Sequence, residues 1–140
     1  QERAEAPDGR AVRRVEVLSV LVARPDGCVL QEAKQVLPGG QERARQGVYL
    51  SEKLLPGEDW HAAVQRAVQE ELGSLGRLTT RVDRASYRRS EEEKVSASYP
   101  TLLSRYVVHT VRAAVAPLPD GDFETWEARP GGRLVTSWRW

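Results

Sequence analysis

The clearest periodic pattern of apolar residues in the chain lies between residues 60 and 72. These apolar side chains recur every three or four positions, which places them on one face of a helix. They are Trp60, Ala63, Val64, Ala67, Val68 and Leu72. Asp59 can cap the amino end of this helix by accepting a hydrogen bond from a first-turn N–H group. Gly73 predicts that the helix ends in the left-handed conformation that glycine adopts readily.

The rest of the apolar pattern predicts mostly strands. Residues 12–23 are rich in valine and leucine and read as a strand that is covered on both faces. A turn at residues 25–27 is expected before a second hairpin arm. The other predicted segments are the hairpin arm at 28–31, a loop at 38–47, strands at 48–50, 78–87 and 104–115, a charged loop or hairpin tip at 88–94, a short helix at 122–128 and a last strand or docked tail at 133–140. Strands on both sides of one clear helix predict an α/β (α+β) fold with a mixed sheet.

Composition narrows the class of protein. The chain has 140 residues, of which 40% are hydrophobic and 29% are charged, as expected for one globular domain. The formal net charge of +1 provides no strong field, so nucleic-acid binding is not favoured. No apolar run approaches the ~20 residues that cross a bilayer. Cys28 is the one cysteine, which excludes an internal disulfide and favours an intracellular, reducing compartment.

The two ends of the chain indicate how the domain is organised. Residues 1–10 are polar and contain a Pro-Asp-Gly turn sequence, which predicts a flexible leader before a single domain over residues 11–140. The absence of methionine suggests a segment of a longer or processed chain. Trp138 and Trp140 lie at the end, and exposed tryptophans are favoured interface anchors. We therefore expect the tail to contact a protein partner or a neighbouring domain of a larger assembly.

Negative charge is concentrated in the last turn of the predicted helix. Glu70 and Glu71 lie there, although the helix dipole disfavours carboxylates at this end. Arg66 precedes Glu70 by one turn and could hold its carboxylate in place. An exposed helical pair of this kind contributes well under ~1 kcal/mol and requires no function.

Residues 52–74 resemble the Nudix box. That motif consists of a glycine, five residues, a glutamate, seven residues and then Arg-Glu-apolar-any-Glu-Glu-any-Gly-apolar. The matching residues are Glu58, Arg66, Val68, Glu70, Glu71 and Gly73. The departures are Glu52 for the first glycine, Ala67 for the glutamate after the arginine and Ser74 for the last apolar residue. A Pro-Gly-Gly sequence at 38–40 is similar to the one that precedes the box, but it lies too far upstream unless a loop is inserted.

The resemblance implies a Nudix-like α/β/α sandwich whose box carboxylates bind magnesium and act on a nucleoside diphosphate derivative. It would make Glu58, Glu70 and Glu71 the metal ligands, and Arg66, Glu70 and Glu71 the residual catalytic residues. Ala67 neighbours both helix glutamates but has no carboxylate, so two acidic groups remain where three would converge. Ala67→Glu is accordingly expected to raise the affinity for divalent ions. No segment after residue 126 resembles the second long helix of that fold, which we expect to be reduced or absent.

Two functions follow from this degenerate box. The first is a non-catalytic Nudix-like domain with a protein-interaction, scaffolding or ligand-sensing role and no cofactor. The second is a magnesium-dependent nucleoside diphosphate-X pyrophosphohydrolase. The missing carboxylate at Ala67 favours the first.

Several other side chains could act at such a site or be purely structural. His109 could be a base or a nucleotide contact, or a strand histidine that is satisfied by a neighbour. The acidic run at 91–93 could supply a loop carboxylate or form a solvated charge cluster. Four aromatic residues could stack on a base or pack in the core. They are Tyr49, Trp60, Tyr99 and Trp126.

Overall fold

A computed structural model describes residues 2–5, 11–95 and 102–140 of the chain. In chain order, the elements are β1 (Glu2–Glu5), β2 (Ala11–Val22), β3 (Gln31–Val36), β4 (Glu42–Lys53), α1 (Trp60–Leu72), a 3₁₀ turn (Gly73–Leu75), β5 (Thr79–Val95), β6 (Leu102–Ala116), β7 (Phe123–Arg129) and β8 (Gly132–Arg139). The predicted α+β class is therefore confirmed. Within the described ranges, no helix has the length and apolar character required to cross a bilayer.

The strands form one mixed sheet in the order β5-β6-β2-β4-β3-β8-β7, and β1 pairs with β2. The pair β2–β6 is parallel, and the other pairs are antiparallel. β4 links the two halves of the sheet, because its residues 50–53 pair with β2 while its residues 42–49 lie along β3. Helix α1, which carries most of the residues that match the box motif and is called the box helix below, comes after β4 in the chain. This linking strand therefore also positions the start of the candidate site.

The helix packs across this junction and contacts β2, β4, β5 and β7. Its buried side chains are those of the predicted stripe except Trp60, which is half-buried: Ala63, Val64, Ala67, Val68 and Leu72. The strands bury the opposing residues Leu18, Val20, Val22, Leu30, Leu50, Val111, Ala113 and Trp138. The bounds predicted for the helix are thus confirmed. Among residues 11–95 and 102–140, α1 is the one α-helix, so the described layers are a sheet and a single helix.

The two predicted helix caps have different outcomes. Asp59 accepts a hydrogen bond from the Ala62 N–H group at 3.3 Å, as predicted. The prediction for Gly73 is wrong, because its φ of −63° is right-handed and its N–H still bonds to the Gln69 carbonyl. The chain tightens into the 3₁₀ turn, and Gly76 takes the positive φ of +116° instead.

Several strand predictions also need correction. The loop predicted at 38–47 is shorter, since β4 already begins at Glu42. Residues 88–94 are not a loop but part of β5, because β6 pairs with them and supplies opposite charges such as Arg105 opposite Glu93. Residues 122–128 are not helical; most of them belong to β7, which pairs with β8. Of the hairpin arm predicted at 28–31, Val29 forms an isolated antiparallel bridge with Ala23, and Gln31 already begins β3, which pairs with β4 and β8.

The amino-terminal segment also differs from the expected flexible leader. Residues 2–5 form β1, which pairs antiparallel with residues 11–14 of β2. Residues 6–10 lie outside the described residues, as does Tyr99. The sheet therefore extends further towards the amino terminus than the polar sequence indicates.

The carboxyl-terminal tail forms β8 within the sheet, between β3 and β7. Trp138 is 1% exposed, and its indole N–H donates to Thr125 Oγ1 at 2.7 Å. Trp140 is half-buried; its indole N–H donates to the Pro119 carbonyl at 2.9 Å, and the Arg24 guanidinium lies 4.6 Å from its ring. The expectation that both tryptophans offer a protein-binding surface is therefore corrected for Trp138, because the domain's own core takes up its side chain.

Candidate functional site

Arg66 is the centre of a polar cluster at the box helix. Its Nε and Nη2 atoms donate to the two carboxylate oxygens of Glu58 at 2.9 and 2.8 Å. Its Nη1 atom lies 3.2 Å from both oxygens of Glu70, and Nη2 also donates to the Lys53 carbonyl at 2.7 Å. Arg66 thereby joins the helix to β4 and to the loop before the helix, which is more than an isolated ion pair does.

Glu58 serves this arginine rather than standing free as a metal ligand. Besides its two bonds to Arg66, it accepts a hydrogen bond from the Leu55 N–H group at 3.0 Å. The hydrogen bonds from Arg66 hold the pKa of Glu58 below its usual range. Both carboxylate oxygens of Glu58 are thus engaged by Arg66, and the metal-ligand role expected for Glu58 stays a prediction.

Glu52 joins the site from β4, at the position where the box motif has glycine. It pairs in register with Leu18, a core residue, so its side chain lies on the helix side of the sheet. Its carboxyl group is within hydrogen-bonding reach of Glu70. Burial first, and then this contact, raise the pKa of Glu52 to about 7, against the opposing effect of Arg66. In the sequence, Glu52 stands out only as a departure from the motif, and the carboxylate that it introduces is the one signal that points to this role.

Glu71 is the most perturbed carboxyl group of the candidate site. Its burial, followed by the charges of Glu127, Glu52 and Glu32, raises its pKa to about 8, while Arg129 acts in the opposite direction. A carboxyl group with this pKa is mostly protonated at neutral pH. It can then donate a hydrogen bond, which an ionised carboxylate cannot do.

A cavity of about 450 Å³ opens beside Glu71, between the β3–β4 turn, the end of α1 and the β7–β8 turn. Its polar lining consists of Gln35, Arg43, Arg45, Glu71, Glu127 and Arg129. Its apolar lining consists of Leu37, Pro38, Pro130 and Leu134. The volume lies in the range of about 300–1,000 Å³ that is typical of small-molecule sites. The cavity is therefore the best-placed binding site next to the box helix.

A buried hydrogen-bond network holds two of these arginines. Glu32 is 4% exposed and accepts from Arg45 at 3.2 Å and from the Gln35 amide at 3.0 Å. Gln35 in turn accepts a hydrogen bond from Arg43 and donates to Thr136 Oγ1 at 3.4 Å. Burial raises the pKa of Glu32, and Arg45 opposes that effect. None of these residues belongs to a sequence motif, because β3, β4 and β8 meet only in the folded chain.

Arg129 lines the cavity from β7 and is not part of the hydrogen-bond network that holds Arg43 and Arg45. Its Nη2 atom donates to Glu127 at 2.8 Å, and both residues lie on β7. Ser74, a further departure from the box motif, accepts a hydrogen bond from the Trp126 N–H group at 3.0 Å and ties the 3₁₀ turn to the same strand. β7 is therefore fixed against the end of the box helix.

The box carboxylates do not form a three-residue metal cluster. In the part of the chain that the structure describes, no three His, Cys, Asp or Glu side chains are placed to hold one ion. Glu52 and Glu70 are in contact, whereas Glu71 acts on Glu52 through its charge alone. Ala67 is fully buried, so a carboxylate introduced by Ala67→Glu would start from a core position, and the gain in metal affinity expected from it stays a prediction.

His109 does not belong to this cluster and is satisfied by its neighbours. Its Nδ1 lies 2.7 Å from Tyr87 Oη, and its Nε2 lies 3.3 Å from a Glu16 carboxylate oxygen. Trp60 stacks on Tyr87 with ring centroids 4.4 Å apart, which occupies one face of its indole. Residues 91–93 are exposed on β5, away from the cavity. These groups are accounted for by local structure.

The remaining aromatic candidates also lie outside the cavity lining. Trp126 is 42% exposed, and the Arg133 guanidinium lies 3.7 Å from its ring centroid. Tyr49 is half-buried on β4. A base-stacking role for either residue stays a prediction.

Comparison with models of known protein families and with curated proteins finds no match to this chain. The resemblance to the Nudix box therefore rests on residues 52–74 and stays a prediction.

Proposed function

We propose that this chain is a Nudix-like domain that has lost pyrophosphohydrolase chemistry and acts as a ligand-sensing module of a larger protein or assembly. The observation that carries the proposal is the cavity beside Glu71, which combines fixed arginines with a retained box helix. Binding at this cavity would be communicated through β7 and the 3₁₀ turn, which contact one another through Ser74 and Trp126.

The state of the box residues supports the loss of hydrolysis. Arg66 and Glu58 bind each other, and Glu70 is shared between Arg66 and Glu52. Ala67 occupies a core position where the motif has a third carboxylate. Magnesium sites that activate water need several oxygen ligands at well-defined positions. Among the described carboxylates, Glu52 and Glu70 are in contact with each other, and Glu71 is separate from this pair.

One observation favours the alternative, a magnesium-dependent pyrophosphohydrolase. Glu52 adds a carboxylate from β4 at a position where the motif has none, and it contacts Glu70. Two carboxylates in contact can share a proton or hold a cation. With substrate phosphates as further ligands, such a pair could bind magnesium.

A hydrolysis assay separates the two functions. We expect no magnesium-dependent turnover of nucleoside diphosphate sugars or dinucleoside polyphosphates above the level of a Glu70→Gln variant. The matched control is Glu124→Gln, which removes an exposed carboxylate of β7 outside the site. Turnover by the unmodified chain that persists in Glu124→Gln and is lost in both Glu52→Gln and Glu70→Gln would establish the hydrolase instead.

A further inference from the structure

We infer that the cavity beside Glu71 binds a phosphorylated sugar or polyol, with Arg43, Arg45 and Arg129 contacting its phosphate and Glu71 and Glu127 contacting its hydroxyl groups. This inference rests on the proposed function, because it names the class of ligand that the sensing site would take.

The arginines supply the phosphate-binding part of the site. A guanidinium binds phosphate through two parallel N–H groups, which gives both strength and orientation. Three of the six polar side chains that line the cavity are arginines, and the other three are two glutamates and one glutamine.

These arginines are also pre-positioned. Arg45 is fixed by the buried Glu32, Arg43 by Gln35, and Arg129 by Glu127. A side chain that is already held loses less conformational freedom when a ligand binds. Three guanidinium groups from β4 and β7 thus converge on one cavity without depending on a flexible loop.

The other polar groups of the cavity lining can form hydrogen bonds with hydroxyl groups of a ligand. Glu71 and Glu127 present carboxyl oxygens that can accept hydrogen bonds from hydroxyl groups. Inorganic phosphate is itself an anion and is therefore a poor partner for these carboxyl oxygens. A polyol attached to the phosphate would satisfy both parts of the lining, and the volume of about 450 Å³ accommodates a small molecule of this size.

The apolar part of the lining distinguishes a sugar phosphate from a nucleotide. It consists of two prolines and two leucines, and none of the residues described as lining the cavity is aromatic. Proteins commonly hold a nucleobase by stacking it on an aromatic side chain. The cavity lacks that platform, so a base adds little to the binding of the sugar phosphate.

Titration calorimetry at pH 7 without magnesium tests this inference with four probes: ribose 5-phosphate, ribose, inorganic phosphate and adenosine 5′-monophosphate. We expect ribose 5-phosphate to bind more tightly than ribose or phosphate, and the nucleotide to bind no more tightly than ribose 5-phosphate. Arg129→Gln and Arg43→Gln should each weaken ribose 5-phosphate about 10- to 100-fold, because each removes a charge-assisted hydrogen bond. Both side chains are exposed, so the variants should fold. Arg84→Gln, an exposed arginine of β5 outside the cavity, is the matched control and should leave the affinity unchanged.

Three results would overturn the inference. They are a nucleotide that binds at least tenfold more tightly than ribose 5-phosphate, binding that the arginine variants do not weaken, and no binding of ribose 5-phosphate at millimolar concentration. The first of these would leave a non-catalytic sensing domain in place with a different ligand. The proposed loss of hydrolytic chemistry is refuted only by magnesium-dependent turnover. A failure of the proposed function can therefore be distinguished from a failure of the sugar-phosphate inference.

Discussion

At the scale of single residues, Glu71 is the carboxyl group of the candidate site whose pKa the fold changes most. Its side chain is half-buried near Glu127, Glu52 and Glu32. Arg129 compensates only in part, so the pKa of Glu71 is raised to about 8. The folded protein therefore binds a proton at neutral pH that the unfolded chain, with an ordinary glutamate pKa of about 4.3, would release.

This protonation makes a contribution to stability that depends on pH. Because the folded-state pKa lies above the unfolded-state value, the free energy of unfolding falls as pH rises from about 4.3 towards 8. We expect Glu71→Gln to raise the free energy of unfolding at pH 8.5 by about 1–3 kcal/mol, after allowance for screening by water in the cavity. Near pH 4 the gain should vanish, since Glu71 is protonated in both states.

Urea unfolding between pH 4 and pH 9 measures this effect. Glu124→Gln is the control, because that carboxylate is exposed on β7 and should give a much smaller change with pH. A Glu71→Gln variant that is destabilised at pH 8.5, or that gains equally at both ends of the range, would contradict the burial of Glu71 as a protonated group.

At the scale of elements, α1 is fixed by its apolar stripe and not by its charged end. Val64, Val68 and Leu72 pack against the strands that surround them, while Glu70 and Glu71 remain in the last turn against the helix dipole. The favourable burial of several aliphatic side chains exceeds that small electrostatic penalty. The helix is therefore retained whether or not its carboxylates perform chemistry.

A substitution that shortens a side chain at the end of this apolar stripe tests the packing of the helix. Leu72 is fully buried, so Leu72→Ala should lower the free energy of unfolding by about 2–5 kcal/mol through lost burial and a residual cavity. Leu55→Ala is the matched control; this leucine is 55% exposed in the loop before the helix and should change stability by less than about 1 kcal/mol. Equal effects of the two substitutions in chemical denaturation would show that the helix does not pack as described.

At the scale of the whole molecule, the carboxyl-terminal tail completes the sheet. β8 lies between β3 and β7, and Trp138 packs in the same core as the residues of α1. Since β7 lines the cavity and is held by β8, the tail also supports the wall that carries Glu127 and Arg129. The end of the described chain therefore affects both stability and the candidate site.

Removing the buried indole tests this role. Trp138→Ala should lower the free energy of unfolding by about 3–5 kcal/mol, because a large buried side chain and its bond to Thr125 are lost. Trp126→Ala, which removes a tryptophan that is 42% exposed, should cost much less. Chemical denaturation measures both variants, and sedimentation should give the same association state for each as for the unmodified chain. A Trp138→Ala variant of unchanged stability but altered association would restore the interface hypothesis for the tail.

The sequence predicted the elements that local pattern controls. The stripe of residues 60–72 determined the helix and its cap at Asp59, because a period of three to four residues depends only on neighbours along the chain. The valine-rich run at the start of the domain likewise predicted β2. Residues 122–128 were misassigned, because their strand conformation depends on pairing with β8 and on the contact of Thr125 with Trp138.

Some features of the candidate site could likewise be predicted from the sequence, and others only from the tertiary structure. The sequence alone determined that Arg66, Glu70 and Glu71 share a helix and that Ala67 lacks a carboxylate, since helix geometry fixes such relations. Only the tertiary structure decided that Glu52 contacts Glu70 and that arginines of β4 and β7 surround one cavity. Those residues are far apart along the chain. Their proximity, and the burial that raises the pKa of Glu71, follow from how the strands associate in space, which no local pattern of residues encodes.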